Sequence, residues 1–226
     1  MGTLYLVRHG QASFGEDDYD RLSPLGHRQA QRLGEYLRQR FEREGVQIDS
    51  VLMGSLTRHR ETWEGMARGA GWTHTPQIWP GLNEYDSLAL IEAIHPEPLA
   101  KPDTPELYRQ HFRLLRDALK AWMDGRTHPK GMPSYADFVG GIEAALDHVR
   151  QNCSGNALIV SSGGPISTAV GRVLGTPAET TIELNLRIRN TALSELAFNP
   201  KRHMLVTYNT LPHLDSDEHK DWVTYA

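Results

Sequence analysis

Hydrophobic and polar positions alternate between two rhythms along this chain, and the switches between them predict the elements. Leu4 to Val7 is an unbroken apolar run with a β-branched end, too short for a helix, and it reads as a buried strand. From Ser23 the spacing changes. Leu25, Ala30, Leu33, Leu37 and Phe41 recur near helical intervals, with Gln, Arg and Glu on the other face. Ser23 suits the N-cap, Pro24 the first helical position and Gly45 the stop. Ile48 to Met53 returns to a strand that breaks at Gly54-Ser55. Thr57 to Arg68 returns to a helix, ending near Gly69 or Gly71. Strand and helix in strict turn predict parallel βαβ units.

The middle of the chain departs from that rhythm. Residues 75 to 81 are Pro-rich, and from about 87 to 133 the pattern becomes helical and Pro-interrupted. Thr104-Pro105-Glu106 opens a longer helix with Phe112, Leu115, Leu119 and Trp122 on one face, a core stripe rather than a cofactor box. This stretch is expected to be a helical cap insertion within a single domain spanning residues 1–226. Ser134, with Asp137 three residues on, caps a helix carrying Phe138, Ile142, Leu146 and Val149. Asn156 to Val160 reads as a strand, and Pro165 to Leu174 as a helix. The tail reads as three strands, Thr181 to Leu186, Thr191 to Phe198 and His203 to Tyr208, with a turn at Pro200-Lys201-Arg202. The acidic final stretch is expected to fray. The expected fold is a three-layer α/β/α sandwich, its sheet mostly parallel with an antiparallel edge strand.

Composition narrows the function classes. The chain has 226 residues and a formal net charge of -4, with no Lys/Arg block, which argues against nucleic-acid binding. A single cysteine, Cys153, excludes an intramolecular disulfide and fits a reducing compartment. No apolar run approaches a membrane span, and the first strand begins too early for a signal peptide, so a cytoplasmic protein without membrane partners is expected. Eleven histidines are spread along the chain without His-Glu-x-x-His or Cys-x-x-Cys spacing, so no metal site is expected. Oligomeric state is left open by the sequence.

The candidate chemistry collects at strand ends. The first strand stops at Arg8-His9-Gly10, outside the carboxyl end of a strand, where open α/β sheets bind ligands. An Arg there is a fork for phosphate or carboxylate, and a His is a nucleophile, base or metal ligand. The second strand repeats the layout: Gly54-Ser55-Leu56-Thr57-Arg58 puts Arg58 at a helix N-terminus, able to share one anion with Arg8. An Arg in that place otherwise pairs with Glu61 or Glu64. The third turn, Ser161-Ser162-Gly163-Gly164-Pro165, offers backbone amides to an anion but lacks the Gly-Lys-Ser/Thr of a P-loop. Glu84, among apolar and aromatic neighbours, is placed to have a raised pKa and to work as an acid.

Taken together, these motifs resemble the histidine phosphatase superfamily, the phosphoglycerate mutase-like enzymes. The resemblance runs through Arg8-His9-Gly10, Leu22-Ser23-Pro24-Leu25-Gly26, the Ser55, Arg58 and Thr62 spacing, and Leu82-Asn83-Glu84, four motifs in order across most of the chain. It implies that His9 attacks phosphorus and becomes phosphohistidine. Arg8 and Arg58 hold the equatorial oxygens. Glu84 protonates the leaving oxygen and then activates water. Gln11, Ser162 and Gly163 are expected to join Arg8 and Arg58 in binding phosphate. No metal or organic cofactor is implied.

Two departures stand out. The family's late motif ends a strand in His-Gly, and here Ser162 occupies the His position. Gly15 stands where the family often has Asn. Losing one transition-state donor costs about 100- to 1000-fold in rate. A hydroxyl, an ordered water and the Gly163 and Gly164 amides could recover part of that. The favoured expectation is a metal-independent phosphomonoesterase, weakened to the extent that the second His is not replaced, acting on a phosphorylated small molecule or a phosphoprotein. The alternatives are a mutase of the phosphoglycerate type and a non-catalytic phosphate- or phosphoprotein-binding module. The physiological substrate is not legible.

Overall fold

The computed structural model describes residues 1–13, 20–97, 99 and 104–225. Its centre is a six-stranded sheet. In chain order the strands are β1 (Gly2–Arg8), β2 (Ile48–Met53), β3 (Gln77–Ile78), β4 (Asn156–Ser161), β5 (Leu193–Asn199) and β6 (Arg202–Thr210), arranged β3-β2-β4-β1-β5-β6. The pairs β3/β2, β2/β4 and β4/β1 are parallel, and β1/β5 and β5/β6 are antiparallel. The antiparallel edge therefore holds two strands.

The unbroken apolar runs are explained by burial on both faces. Tyr5, Val7, Leu158 and Val160 face α1 (Pro24–Glu44) and α2 (Thr57–Ala70), where Leu33, Leu37, Phe41, Trp63 and Met66 close one core. Leu4, Leu6, Ala157 and Ile159 point the other way. They pack with side chains from α4 (Pro105–Met123), α5 (Tyr135–Asn152) and α6 (Gly163–Leu174), Trp122 and Ile142 among them. A short α3 (Ser87–Glu92) and α7 (Ala178–Arg187) complete the helices. The caps are those the sequence implied. Ser23 Oγ accepts from the Gly26 amide at 3.0 Å, Ser134 Oγ from the Asp137 amide at 3.1 Å, and Gly45 closes α1 at φ 64°. No helix among the described residues is long and apolar enough to cross a membrane.

Two expectations are corrected, and one strand is added. Thr181 to Leu186 is not a strand but the middle of α7. Its β-branched run is overridden by helical spacing: Thr181 and Ile182 are buried together, and Asn185 follows on the same side. Pro177 stands just before the first turn, and the Thr181 hydroxyl bonds back to the Pro177 carbonyl. The Pro-rich stretch contains β3, which its proline content concealed. The acidic tail does not fray at the outset. It forms short 3-10 turns at Pro212–Leu214 and Asp217–Trp222, with His213 and Leu214 buried. The tail carbonyls of Trp222 and Thr224 then bond to Gln29 and Asn190 respectively. A polar segment can be held by hydrogen bonds rather than apolar area, and composition alone does not reveal that.

Candidate active site

Two backbone crossings build the floor of the site. The His9 amide donates to the Ser161 carbonyl at 2.9 Å, continuing the β1/β4 pairing one step past the sheet. His9 and Ser162 therefore follow adjacent parallel strands and leave the sheet together. The loop after His9 is pressed against the start of α1. A Cβ on Gly26 would lie 2.1 Å from the Gln11 carbonyl oxygen, and one on Gly10 would lie 2.6 Å from the Gly26 carbonyl oxygen, so only glycines allow this approach. Thr62 fastens the same loop from α2. Its hydroxyl accepts from the Gly10 amide at 3.0 Å and donates to the Arg58 carbonyl at 2.7 Å.

His9 is 3% exposed, and its Nδ1 lies 2.7 Å from the Gly10 carbonyl oxygen. A carbonyl can only accept, so Nδ1 carries the proton and Nε2 holds the lone pair. Burial, then the charges of Arg58 and Arg8, then His59, hold its pKa well below the usual 6.5. The imidazole is neutral at physiological pH. Both guanidinium groups also act on Glu84, so Arg8, Arg58, His9 and Glu84 share one electrostatic environment.

The remaining groups are tied in from distant parts of the chain. Arg8 Nη1 donates to the Ile188 carbonyl and, at 2.7 Å, to the Tyr225 carbonyl of the tail. Arg58 does not pair with Glu61 or Glu64. Its Nη1 lies 2.9 Å from Asp20 Oδ1, while Asp20 Oδ2 accepts from the Thr57 amide at 2.8 Å. Glu84 follows a 3-10 turn at Pro80–Leu82. Leu82 is buried, and its carbonyl accepts from Ser161 Oγ at 2.6 Å. Asn83 exchanges two hydrogen bonds with Ser55, so the turn cannot drift from the end of β2. Burial raises the Glu84 pKa above its usual 4.5. The Gly164 amide, at 3.1 and 3.2 Å from the two carboxyl oxygens, and the two Arg charges oppose that rise without cancelling it.

Gln11 is held at the edge. Its side-chain oxygen accepts from Ser23 Oγ at 2.7 Å, and its amide donates to Gln29. Gly163 begins α6 beside Arg8: a Cβ placed there would lie 3.8 Å from Arg8 Nε. Ser162, fully buried, is the N-cap residue of α6 but makes no side-chain cap, because its Oγ lies 2.7 Å from His59 Nε2. Gly15 lies outside the described residues.

Sequence reasoning missed four contributors. Gln29, 0% exposed, joins the Gln11 amide to the Trp222 carbonyl and the Thr224 hydroxyl. Asp20 neutralises one side of Arg58. Asn185 donates to the Tyr85 hydroxyl at 2.6 Å. His59 lies directly after Arg58, yet nothing local distinguishes it from a surface histidine. Gln29 stands in the sequence among the Gln, Arg and Glu of the polar helix face, and its burial appears only in the structure.

Beside Glu84 opens a cavity of about 280 Å³, lined by Asn83, Tyr85, Asp86, Met132 and Phe138 among others. Its walls come from the Glu84 loop, the segment before α5 and α5 itself.

Comparison with known proteins identifies the family. The model of the histidine phosphatase superfamily, branch 1, matches residues 4–211. The protein named "Probable phosphoglycerate mutase GpmB" of Photorhabdus laumondii is 28% identical over 229 residues, covering 96% of each chain. A mutant phosphoserine phosphatase from Entamoeba histolytica, solved with phosphoserine, superposes with a TM-score of 0.62 at 20% identity, covering 95% of this chain and 100% of that one. A mycobacterial glucosyl-3-phosphoglycerate phosphatase, solved with VO3, gives a TM-score of 0.64 at 20% identity, covering 93% and 100%. The family match spans every strand-end motif from Arg8 to Ser162, and the chain belongs to the histidine phosphatase superfamily, branch 1.

Proposed function

We propose that this protein is a phosphomonoesterase working through a phosphohistidine on His9. The observation that carries the reading is the state of His9: a neutral ring whose Nδ1–H is held by the Gly10 carbonyl, leaving the Nε2 lone pair beside two guanidinium groups. A nucleophile needs that lone pair, and a phosphoryl group in a loose transition state needs that positive charge.

In the first step Nε2 attacks phosphorus, the P–O bond to the leaving group breaks, and the Glu84 carboxyl proton passes to the departing oxygen. In the second step water attacks the phosphohistidine, the P–N bond breaks, and Glu84 takes the water proton, so inorganic phosphate leaves and both groups return to their starting states. The raised Glu84 pKa supports the acid role, because a carboxyl must hold its proton to donate it. Arg8 and Arg58 would hold the equatorial oxygens, with the Gly163 amide and Ser162 completing the cradle and Gln11 at its margin.

The leaving group would lie in the cavity beside Glu84, under the proposed cap formed by residues 87 to 133. A mutase reading has the named similarity to a phosphoglycerate mutase in its favour. The described lining of the cavity includes Asp86 and Asp137, whose carboxylates repel a sugar-acid carboxylate, and this supports hydrolysis of a small ester with an uncharged leaving group. The test is incubation with an aryl phosphate. Wild type should release phosphate and yield an acid-labile phosphoenzyme after a rapid quench, and His9→Ala should do neither. Turnover that survives in well-folded His9→Ala would refute the reading. Binding of phosphate without turnover in wild type would point to the non-catalytic module.

A further inference from the structure

In this chain the end of β4 carries a serine where a charged or imidazole donor would serve phosphate better, and the space around that serine is filled from another element. His59 sits on α2, one residue after Arg58. It is 0% exposed, its ring centroid lies 5.9 Å from that of His9, and its Nε2 lies 2.7 Å from Ser162 Oγ. Room for the ring exists because residue 54 is glycine: a Cβ there would stand 2.3 Å from His59 Nδ1. We propose, resting on the phosphatase reading above, that His59 is a positioning residue that aims the Ser162 hydroxyl at the transferring phosphoryl group, so that the pair supplies one donor from two elements.

The proton arrangement gives the direction. Burial and the Arg58 charge push the His59 pKa down to about 3, so the ring is neutral and carries one N–H. Nδ1 faces the Gly54 backbone, a contact that opposes the fall in pKa, but its alignment falls short of a full hydrogen bond. A proton on Nδ1 would meet only that poorly aligned backbone contact, whereas a proton on Nε2 has Ser162 Oγ at 2.7 Å, so the geometry favours the Nε2 proton. With Nε2–H donating, Ser162 Oγ is the acceptor on that side and its own O–H is turned away from His59. The hydroxyl is not spent on a helix cap either, since it makes none. The donors then run in one sense, His59 N–H to Ser162 O–H to phosphoryl oxygen, and each link polarises the next. A serine with an apolar neighbour in place of His59 would be free to rotate its proton elsewhere.

The experiment is a double-mutant cycle on aryl phosphate turnover with Ser162→Ala, His59→Leu and the combination, plus His59→Gln, whose amide nitrogen can replace the Nε2 donor. Thermal melts confirm folding. Ser162→Ala and His59→Leu should each lower kcat by about 10- to 100-fold, less than the full cost of losing an oxyanion donor, with KM changing by less than about threefold. The double variant should be no worse than either single one, and His59→Gln should recover most of the loss. Additive losses, or a Gln variant as poor as Leu, would overturn the proposal, as would unchanged kcat in either single variant. If His59→Leu fails to fold, Gln against Ser162→Ala decides the matter by the same comparison. Should wild type show neither turnover nor phosphoenzyme, the phosphatase reading fails by itself. The affinity of the same variants for orthovanadate then tests the pair: a shared, non-additive loss supports it, and independent or absent losses overturn it.

Discussion

Acidification should unfold this protein through two buried histidines, and the size of the effect follows from their surroundings. His59 and His213 are 0% and 1% exposed. Each places Nε2 on a hydroxyl, Ser162 for His59 and Thr191 for His213, the latter at 2.9 Å. Burial, together with nearby positive charge, pushes both pKa values down to about 3 from the ordinary 6.5. The unfolded chain therefore binds two protons that the folded chain refuses. The stability these neutral rings confer is complete above pH 6.5 and is lost as pH falls from 6.5 toward 3. At pH 5 the gap is about 1.5 pH units for each ring, roughly 2 kcal/mol apiece and about 4 kcal/mol together. That is a large share of the 5–15 kcal/mol typical of a folded domain. His9 acts in the same direction. Glu84, with its raised pKa, acts in the opposite one: its contribution is greatest below 4.5 and is lost as pH rises through its folded value. The assay is urea unfolding at pH 7.5 and 5.0, followed by fluorescence of the five tryptophans. Between the two pH values His213→Gln should lose about 2 kcal/mol less than wild type and the His59→Gln/His213→Gln pair about 4 kcal/mol less, leaving only the opposed contributions of His9 and Glu84. A double variant with the wild-type pH slope and an unchanged denaturant m-value would refute the assignment of the acid sensitivity to these rings.

Other predictions bear on the site. Glu84→Gln should slow hydrolysis of an alkyl phosphate by about 10²- to 10⁴-fold and that of a nitrophenyl phosphate far less, because a good leaving group needs little proton help; equal losses on steady-state assay would remove Glu84 from the acid role. For an alkyl phosphate, kcat/KM corrected for substrate ionisation should hold as pH falls through 6.5, since His9 stays neutral there, and should drop on the alkaline side with a midpoint above 4.5 as Glu84 loses its proton. A loss on acidification near 6.5 would contradict it. Ser162→His alone should fit badly against His59 and cost about 1–3 kcal/mol of stability, whereas pairing it with His59→Ala should relieve the clash and recover turnover, as read by melts and kinetics. Gly26→Ala should drive a methyl into the Gln11 carbonyl, displace the loop after His9 and lower both melting temperature and kcat.

The fold and the positions of the strand ends were legible because they depend on local periodicity and on short motifs. Leu4 to Val7 and Asn156 to Val160 read as strands since both faces are buried, and Ser23-Pro24 and Gly45 delimited α1 since caps are local hydrogen-bond problems. Arg8, His9 and Arg58 could be named because a strand end followed by a loop or helix N-terminus is visible in one dimension, and Glu84 because a carboxylate among apolar and aromatic neighbours stands out. What the sequence could not decide is partnership. Thr181 and Ile182 look like strand residues, and only their packing against α6 and α4 makes α7 a helix. Asp20 reaches Arg58 across 38 positions, and Tyr225 reaches Arg8 across 217. His59 and Ser162 stand 103 positions apart, so neither residue by itself signals the other. Residue type and spacing determine which groups a chain owns and which elements carry them. The direction of each hydrogen bond, and so the charge state of each ring, arises only when the folded chain excludes water and leaves every buried donor a single place to go.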